Sequence, residues 1–243
     1  MDNLFIVMPI YNEAENIRDV VEDWYKYTNV SEDSRLLLVN DGSKDETSDI
    51  LTELQKSYPK LLVHNKANAG HGPTVTLAYK LALENGADYV FQTDSDGQTI
   101  ADEFQDFWES RSIYDFQMGQ RINREDGFSR KIVSTILRIN IFILYGVWLK
   151  DANVPFRLIE KSTLEKVIQK IPADYQLSNV LLSVLLKKSG AKYRLKPITF
   201  RPRQGGVNSV NFRSIFKSAI MFYKQAFAFK KAQKAQVKNK YDK

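Results

Sequence analysis

Asp94-Ser95-Asp96-Gly97-Gln98 sets two carboxylates one residue apart, directly after the apolar run Tyr89–Thr93. Unpaired, they would repel each other. A hard divalent cation removes that repulsion and takes oxygen ligands, the Gln98 amide included, while keeping waters and bridging substrate phosphates. Asp94, Asp96 and Gln98 are therefore candidate ligands for Mg²⁺ or Mn²⁺. The same residues could form a solvated acidic turn; their place after a predicted strand is what favours the metal. Asp41-Gly42-Ser43 ends another apolar run. Its carboxylate can accept hydrogen bonds from a nucleobase or ribose, and Gly42 permits close backbone approach. A helix cap by Ser43 or Asp45 would look the same. Asn68, Gly70, His71 and Gly72 form a loop before a helix, whose first N–H groups can bind phosphate. His71 itself reads as an ordinary exposed loop residue.

These loops need a scaffold, and the hydrophobic pattern supplies one. Leu4–Ile10, Arg35–Val39, Leu61–His64 and Tyr89–Thr93 read as buried strands. Between them Glu13–Tyr27, Asp45–Tyr58 and Pro73–Asn85 have apolar residues at helical spacing. Alternating strands and helices predict βαβ units: an α/β fold, with a mostly parallel central sheet and helices on both faces. In such sheets ligands sit beyond the carboxyl ends of the strands, where Tyr11-Asn12-Glu13, Asp41-Gly42-Ser43 and Asp94–Gln98 all fall. The second half is less regular. Tyr114–Gly119 and Lys192–Phe200 read as strands. Ser129–Leu149, Lys161–Lys170, Leu177–Ser189 and Phe212–Lys234 read as helices, with a frayed tail from Ala235. The expected division is a catalytic domain over 1–211 and a basic amphipathic helix and tail over 212–243.

Composition bounds the partners. Of 243 residues, 43% are hydrophobic and 26% charged, enough for a sizeable core. There is no cysteine, which excludes disulfides and thiolate metal sites. A formal net charge of +6 suits an anionic partner. Nothing matches a recognition helix or an RNA-binding sheet motif, so nucleic acid is not expected. No secretory signal is evident, so the expected location is cytoplasmic. Ile132–Leu149 carries Arg138 and Asn140 near its middle and reads as buried or interfacial rather than membrane-spanning.

Taken together and in order, Val7-Met8-Pro9-Ile10-Tyr11-Asn12-Glu13, Val39 to Thr47, Asn68 to Gly72 and Asp94 to Gln98 resemble the family 2 inverting glycosyltransferases. The resemblance implies the nucleotide-sugar-binding glycosyltransferase A-type fold. The second half looks more like the polyprenyl-phosphate branch: Gly119-Gln120-Arg121, Asp151 to Arg157, and Pro197 to Arg203 followed by Gly205, Gly206 and Ser209. It implies that Pro9, Tyr11, Glu13, Asp41 and Asp94 hold the nucleotide, and that Asp94, Asp96 and Gln98 hold the metal. Arg121, Arg130 and Arg203 would face the donor diphosphate and the acceptor phosphate. Three departures stand out: Asn40 where an Asp is frequent, Val154-Pro155 for Ser-Gly, and Tyr175 to Asn179 where an acidic residue is common.

The expected reaction moves a sugar from a nucleotide-sugar to polyprenyl (dolichyl-type) phosphate. A sugar hydroxyl acceptor needs a carboxylate base, for which Asp151 is the best candidate and Asp174 the second. A phosphate acceptor is already an anion and needs only cations to position it. The alternatives are transfer to a glycan hydroxyl in polysaccharide synthesis and, behind it, a metal-dependent nucleotidyltransferase. In Phe212 to Lys231 aromatic and aliphatic residues alternate with lysines. Such a helix can lie in a membrane interface, on the cytoplasmic face here, or pack on the domain; a membrane-protein partner is a further candidate partner of the chain.

Overall fold

The computed structural model describes residues 1–122, 127–201 and 212–241. Seven strands form one sheet: β1 (Leu4–Ile10), β2 (Arg35–Asn40), β3 (Leu61–Asn65), β4 (Tyr89–Thr93), β5 (Phe116–Ile122), β6 (Phe156–Glu160) and β7 (Tyr193–Thr199). Their order is β3-β2-β1-β4-β6-β5-β7. β6 is antiparallel to β4 and β5, while every other pairing is parallel. Six strands therefore share one direction, and the mostly parallel sheet stands.

Helices cover both faces. On one side lie α1 (Ile17–Tyr25), α2 (Thr47–Ser57) and α4 (Phe104–Glu109). Trp24 of α1 stacks on Phe91 of β4 at 5.3 Å, and Phe104 of α4 meets Phe91 edge-on at 4.7 Å. On the other side lie α3 (His71–Glu84), α6 (Lys161–Ile168) and α7 (Ser178–Lys188), which pack against one another. Tyr79 of α3 donates to Gln92, the neighbour of Phe91 on β4. Adjacent strand residues thus serve opposite faces, as a pleat requires.

Two elements escaped the sequence pattern, α4 and β6. Arg157, the second residue of β6, is fully buried. Its guanidinium donates to the carbonyls of Val154 (2.7 Å), Ala152 (2.9 Å) and Asn179 (2.9 Å). Burial lowers its pKa to about 10. Three carbonyl partners offset the cost of placing a cation in the core.

Among the described residues two further helices are α5 (Gly127–Tyr145) and α8 (Phe212–Tyr241). α5 buries Ile141, Leu144 and Tyr145 and exposes Ile136, Ile139, Phe142 and Ile143. α8 buries Phe222, Ala226 and Phe229 and continues seven residues past the expected end at Lys234. Among the described residues, no helix is long and apolar enough to cross a membrane.

Candidate active site

The strand order creates the site. From β1 the chain steps outward through β2 to β3, then α3 returns it to β4 on the other side of β1. Connections leave β1 and β4 in opposite directions, so a crevice opens between their carboxyl ends. A cleft of about 790 Å³ lies there, lined by Pro9 to Asn16, Asp41, Asp45, Asn68, Gly70, His71, Thr74 and Asp94 to Asp96. Ser95 stitches its two banks, donating to the Pro9 carbonyl at 3.1 Å.

The loops after β1 and β2 close on each other. Ser43 Oγ accepts from the Asn12 N–H (3.0 Å), Thr47 Oγ1 from the Glu13 N–H (2.9 Å), and Asp45 Oδ2 from the Ala14 N–H (3.2 Å). Asn12 Oδ1 accepts from the Lys44 N–H in return (2.8 Å). Asn12 holds φ at +53°, a left-handed conformation that asparagine tolerates better than most residues. Asn40, where an Asp is frequent, uses both ends of its amide. Its Oδ1 accepts from the Ser43 N–H and hydroxyl, and its Nδ2 donates to Asn65 Oδ1 at 2.9 Å.

Asp41 is buried at the foot of the cleft. It pairs with the Lys66 ammonium and accepts from the N–H groups of Ala69 (2.8 Å) and Gly70 (2.9 Å). Burial opposes its ionisation, yet Lys66 and these N–H donors hold its carboxyl below the usual carboxylate range. Its carboxylate thus organises the 69–70 backbone instead of capping α2, whose first turn is held by Asp45 Oδ1 accepting from the Thr47 N–H (3.1 Å). Gly42 sits at φ +67°, and a Cβ there would lie 2.9 Å from the Asn68 nitrogen.

Across the cleft, Asp94 meets His71, with Nε2 3.2 Å from Oδ1. His71 is exposed, as expected, but it is the first residue of α3 and not part of the loop. Desolvation in the cleft opposes its protonation, but the neighbouring Asp94, with Asp96 beyond it, raises its pKa above the ordinary value. No sequence signal linked residues 71 and 94, and α3 begins two residues before the expected Pro73. Asp96 Oδ1 accepts from the Gln98 N–H at 3.1 Å.

Pro9, Tyr11, Glu13, Asp41, Asp94 and Asp96 therefore share one cleft, whereas Gln98, Arg121 and Asp151 do not line it. Gln98 Nε2 donates to the Arg201 carbonyl (2.9 Å), and the Arg201 N–H donates back to the Gln98 carbonyl (2.8 Å). Arg121 and Asp151 face each other: Nε to Oδ2 is 2.8 Å and Nη2 to Oδ1 is 2.7 Å, a two-pronged pair with little exposure. Asp174 is exposed. Arg203 and the side chain of Arg130 lie outside the described residues.

The site's donor set suits a hard cation: carboxylates at Asp94 and Asp96 beside a cleft large enough for a diphosphate. Among the described residues, no three His, Cys, Asp or Glu side chains cluster into a complete protein cage. Two carboxylates with the remaining positions left to waters and phosphates is the usual Mg²⁺ arrangement.

The chain is similar to known glycosyltransferases in sequence and in fold. A UDP-N-acetylglucosamine–dolichyl-phosphate N-acetylglucosaminyltransferase of Methanococcus voltae is 25% identical over 192 residues, covering 70% of this chain and 74% of that one. The dolichyl-phosphate beta-glucosyltransferase ALG5A of Trichomonas vaginalis is 23% identical over 219 residues, covering 83% and 67%. Among solved structures, S. aureus TarS 1-349 in complex with UDP superposes with a TM-score of 0.57 at 18% identity, covering 81% of this chain and 58% of that one. Glucosyl-3-phosphoglycerate synthase from Mycobacterium tuberculosis, in complex with Mn²⁺, UDP and phosphoglyceric acid, superposes at 0.58 and 14% identity, covering 85% and 72%. The fold is thus the A-type fold of nucleotide-sugar glycosyltransferases. Residues 5–168 match the description "Glycosyl transferase family 2", and the chain belongs to that family.

Proposed function

We propose that the chain transfers a sugar, with inversion, from a nucleoside diphosphate donor in the β1/β4 cleft to a polyprenyl phosphate. The observation that carries the donor half is the meeting of Asp94 and Asp96 with the Pro9–Glu13 and Asp41–Gly42 loops at the switch point of the sheet. Asp94 and Asp96 would hold Mg²⁺ or Mn²⁺, as the Mn²⁺ and UDP complex of the M. tuberculosis synthase supports. Such an ion supplies charge neutralisation for the departing diphosphate. The side chains do the rest. Asp41 sets the Ala69–Gly70 backbone, the β1 loop walls the nucleoside, and the nearly dry Ser95 bridge keeps the two banks in register.

In the reaction an acceptor phosphate oxygen forms the new bond to the anomeric carbon. The bond from that carbon to the donor diphosphate breaks on the opposite side, and the nucleoside diphosphate leaves with the electron pair. The names of both relatives support a lipid phosphate acceptor. So does Asp151, the candidate base for a hydroxyl acceptor: it accepts both N–H prongs of Arg121 and stands off the cleft. An anionic acceptor needs no such base.

A lipid acceptor requires contact with a bilayer, and α5 and α8 offer a surface for it. Ile136, Ile139 and Ile143 line one side of α5; Ile220, Tyr223 and Phe227 line one side of α8. The two stripes meet where the Tyr223 hydroxyl bonds Asn140. Lys224, Lys231 and Lys234 are exposed on α8. Apolar stripes with exposed lysines suit an anionic interface.

The test is a transfer assay. The purified chain with UDP- and GDP-sugars, Mn²⁺ and a short polyprenyl phosphate should yield a sugar–phospholipid and a nucleoside diphosphate. Transfer to a soluble glycan with none to the lipid phosphate would overturn the acceptor, and release of inorganic diphosphate would overturn the reaction type.

A further inference from the structure

Helix α8 is far from the cleft in sequence, yet two of its side chains, Gln225 and Phe229, join it to a segment that touches the donor site. Gln225, on the half-buried side of α8, uses both ends of its amide on one short segment. Its Oε1 accepts from the Gln176 N–H at 3.0 Å, and its Nε2 donates to the Asp174 carbonyl at 3.0 Å. Beside it the Tyr175 ring, itself buried, meets Phe229 of α8 at 6.4 Å. Residues 174–176 are thus held by α8 through two hydrogen bonds and a ring contact.

That segment in turn holds the start of α3. Gln176 Nε2 donates to the Ala69 carbonyl at 3.1 Å. A Cβ on Gly70 would lie 2.5 Å from Gln176 Oε1. A Cβ on Gly72 would lie 2.2 Å from the Gln176 carbonyl oxygen and 2.3 Å from that of Tyr175. The approach at Gly72 is to backbone and that at Gly70 is to the Gln176 side-chain amide; at Gly72 only glycine leaves room for it. Ala69 and Gly70 are the residues whose N–H groups bind Asp41, and His71 is the partner of Asp94. The path from α8 to both banks of the cleft is therefore continuous: Gln225, Gln176, the 69–72 backbone, then Asp41 and His71.

We infer that Gln225 and Gln176 are positioning residues for the donor: they transmit the seating of α8 to the Ala69–His71 backbone that forms one wall of the nucleotide cleft. Helix α8 is then a working part of the donor site, and its engagement with any surface is coupled to donor affinity. This rests on the reading of the cleft as a nucleotide site. Neither glutamine lines the cleft, so both act through the backbone they hold. Their loss should alter binding of the nucleotide more than the bond-making step.

The experiment measures binding of UDP and of GDP with Mn²⁺ to the full chain by calorimetry, alongside donor KM, kcat and thermal melting. Gln225→Ala and Gln176→Ala should each weaken nucleotide binding roughly three- to tenfold, the worth of one neutral hydrogen bond. kcat at saturating donor should stay within about twofold. Because both variants cut one path, the double variant should be little worse than the weaker single, a departure from additivity. Gln233→Ala, an exposed residue of α8 outside the path, should bind as wild type. Wild-type nucleotide affinity in both single variants, even with a lowered Tm, would overturn the inference and leave the donor site standing; so would strictly additive losses. If the wild-type chain itself binds neither nucleotide, the donor reading fails and the inference with it.

Discussion

Asp96 and Asp41 both line the cleft, but their surroundings assign them different work. Asp96 Oδ1 accepts from the Gln98 N–H, a bond that Asp96→Asn can keep while losing the charge. On the proposed metal role that variant should fold normally and lose transfer by on the order of a hundredfold or more, since a bound cation supplies several kcal/mol of charge stabilisation. Near wild-type turnover at saturating Mn²⁺ would count against the metal role. Asp41 instead binds Lys66, Ala69 and Gly70. Asp41→Ala should raise donor KM more than it lowers kcat. Its pKa is depressed below the ordinary 3.8. The stabilisation it gives is therefore complete above that value and is lost as pH falls through the folded-state pKa. Chemical denaturation of Asp41→Asn should show lower stability at pH 7 and a shallower further fall below pH 3.8 than in the wild type; an unchanged pH profile would mean that the cluster contributes nothing.

At the scale of elements, α8 has two faces with separable roles. Phe222, Ala226 and Phe229 are buried against the domain, while Ile220 and Phe227 are more than half exposed. Truncation at Phe212 would strip the core as well as any docking surface, so point changes are the cleaner test. Phe229→Ala should cost about 3 kcal/mol or more, lowering Tm by roughly 10 °C in a chain of this size. Ile220→Ser with Phe227→Ser should leave Tm within a degree or two. It should also spare nucleotide binding, yet reduce transfer to polyprenyl phosphate carried in vesicles. Equal loss with a detergent-dispersed acceptor would show that these residues serve something other than bilayer contact. Among strands, β6 is illegible because five residues with a charge at the second and the last, Arg157 and Glu160, show no strand period. The burial of Arg157 depends on carbonyls of Ala152, Val154 and Asn179, which no pattern within β6 reveals.

For the whole molecule, a net charge of +6 and an apolar face shared by α5 and α8 predict a two-part attachment. Co-sedimentation should show binding to vesicles containing anionic lipid and much less to zwitterionic ones. Rising salt should weaken it, since the Debye length falls from about 8 Å at physiological ionic strength to about 3 Å at 1 M. A remnant held by apolar burial should persist at high salt. Binding indifferent to both lipid charge and salt would exclude the electrostatic part.

The strand and helix alternation of the first half, and with it the three polar loops at the strand ends, was determined by the sequence alone. Hydrophobic periodicity is a short-range property: Leu4 to Ile10 or Leu36 to Val39 must be buried wherever the sheet goes, and the residues that follow must emerge at its edge. Local order therefore located Asp41, Asp94 and Asp96. Partnership is another matter. An arginine such as Arg121 can answer a phosphate or a carboxylate, and only the tertiary structure brings it to Asp151, thirty positions along the chain. His71 met Asp94, Gln98 met the Arg201 backbone, and Gln225 met Gln176 for the same reason. Charge and hydrogen-bond complementarity carry no sequence period, so these pairings existed only once the sheet order had brought distant loops together.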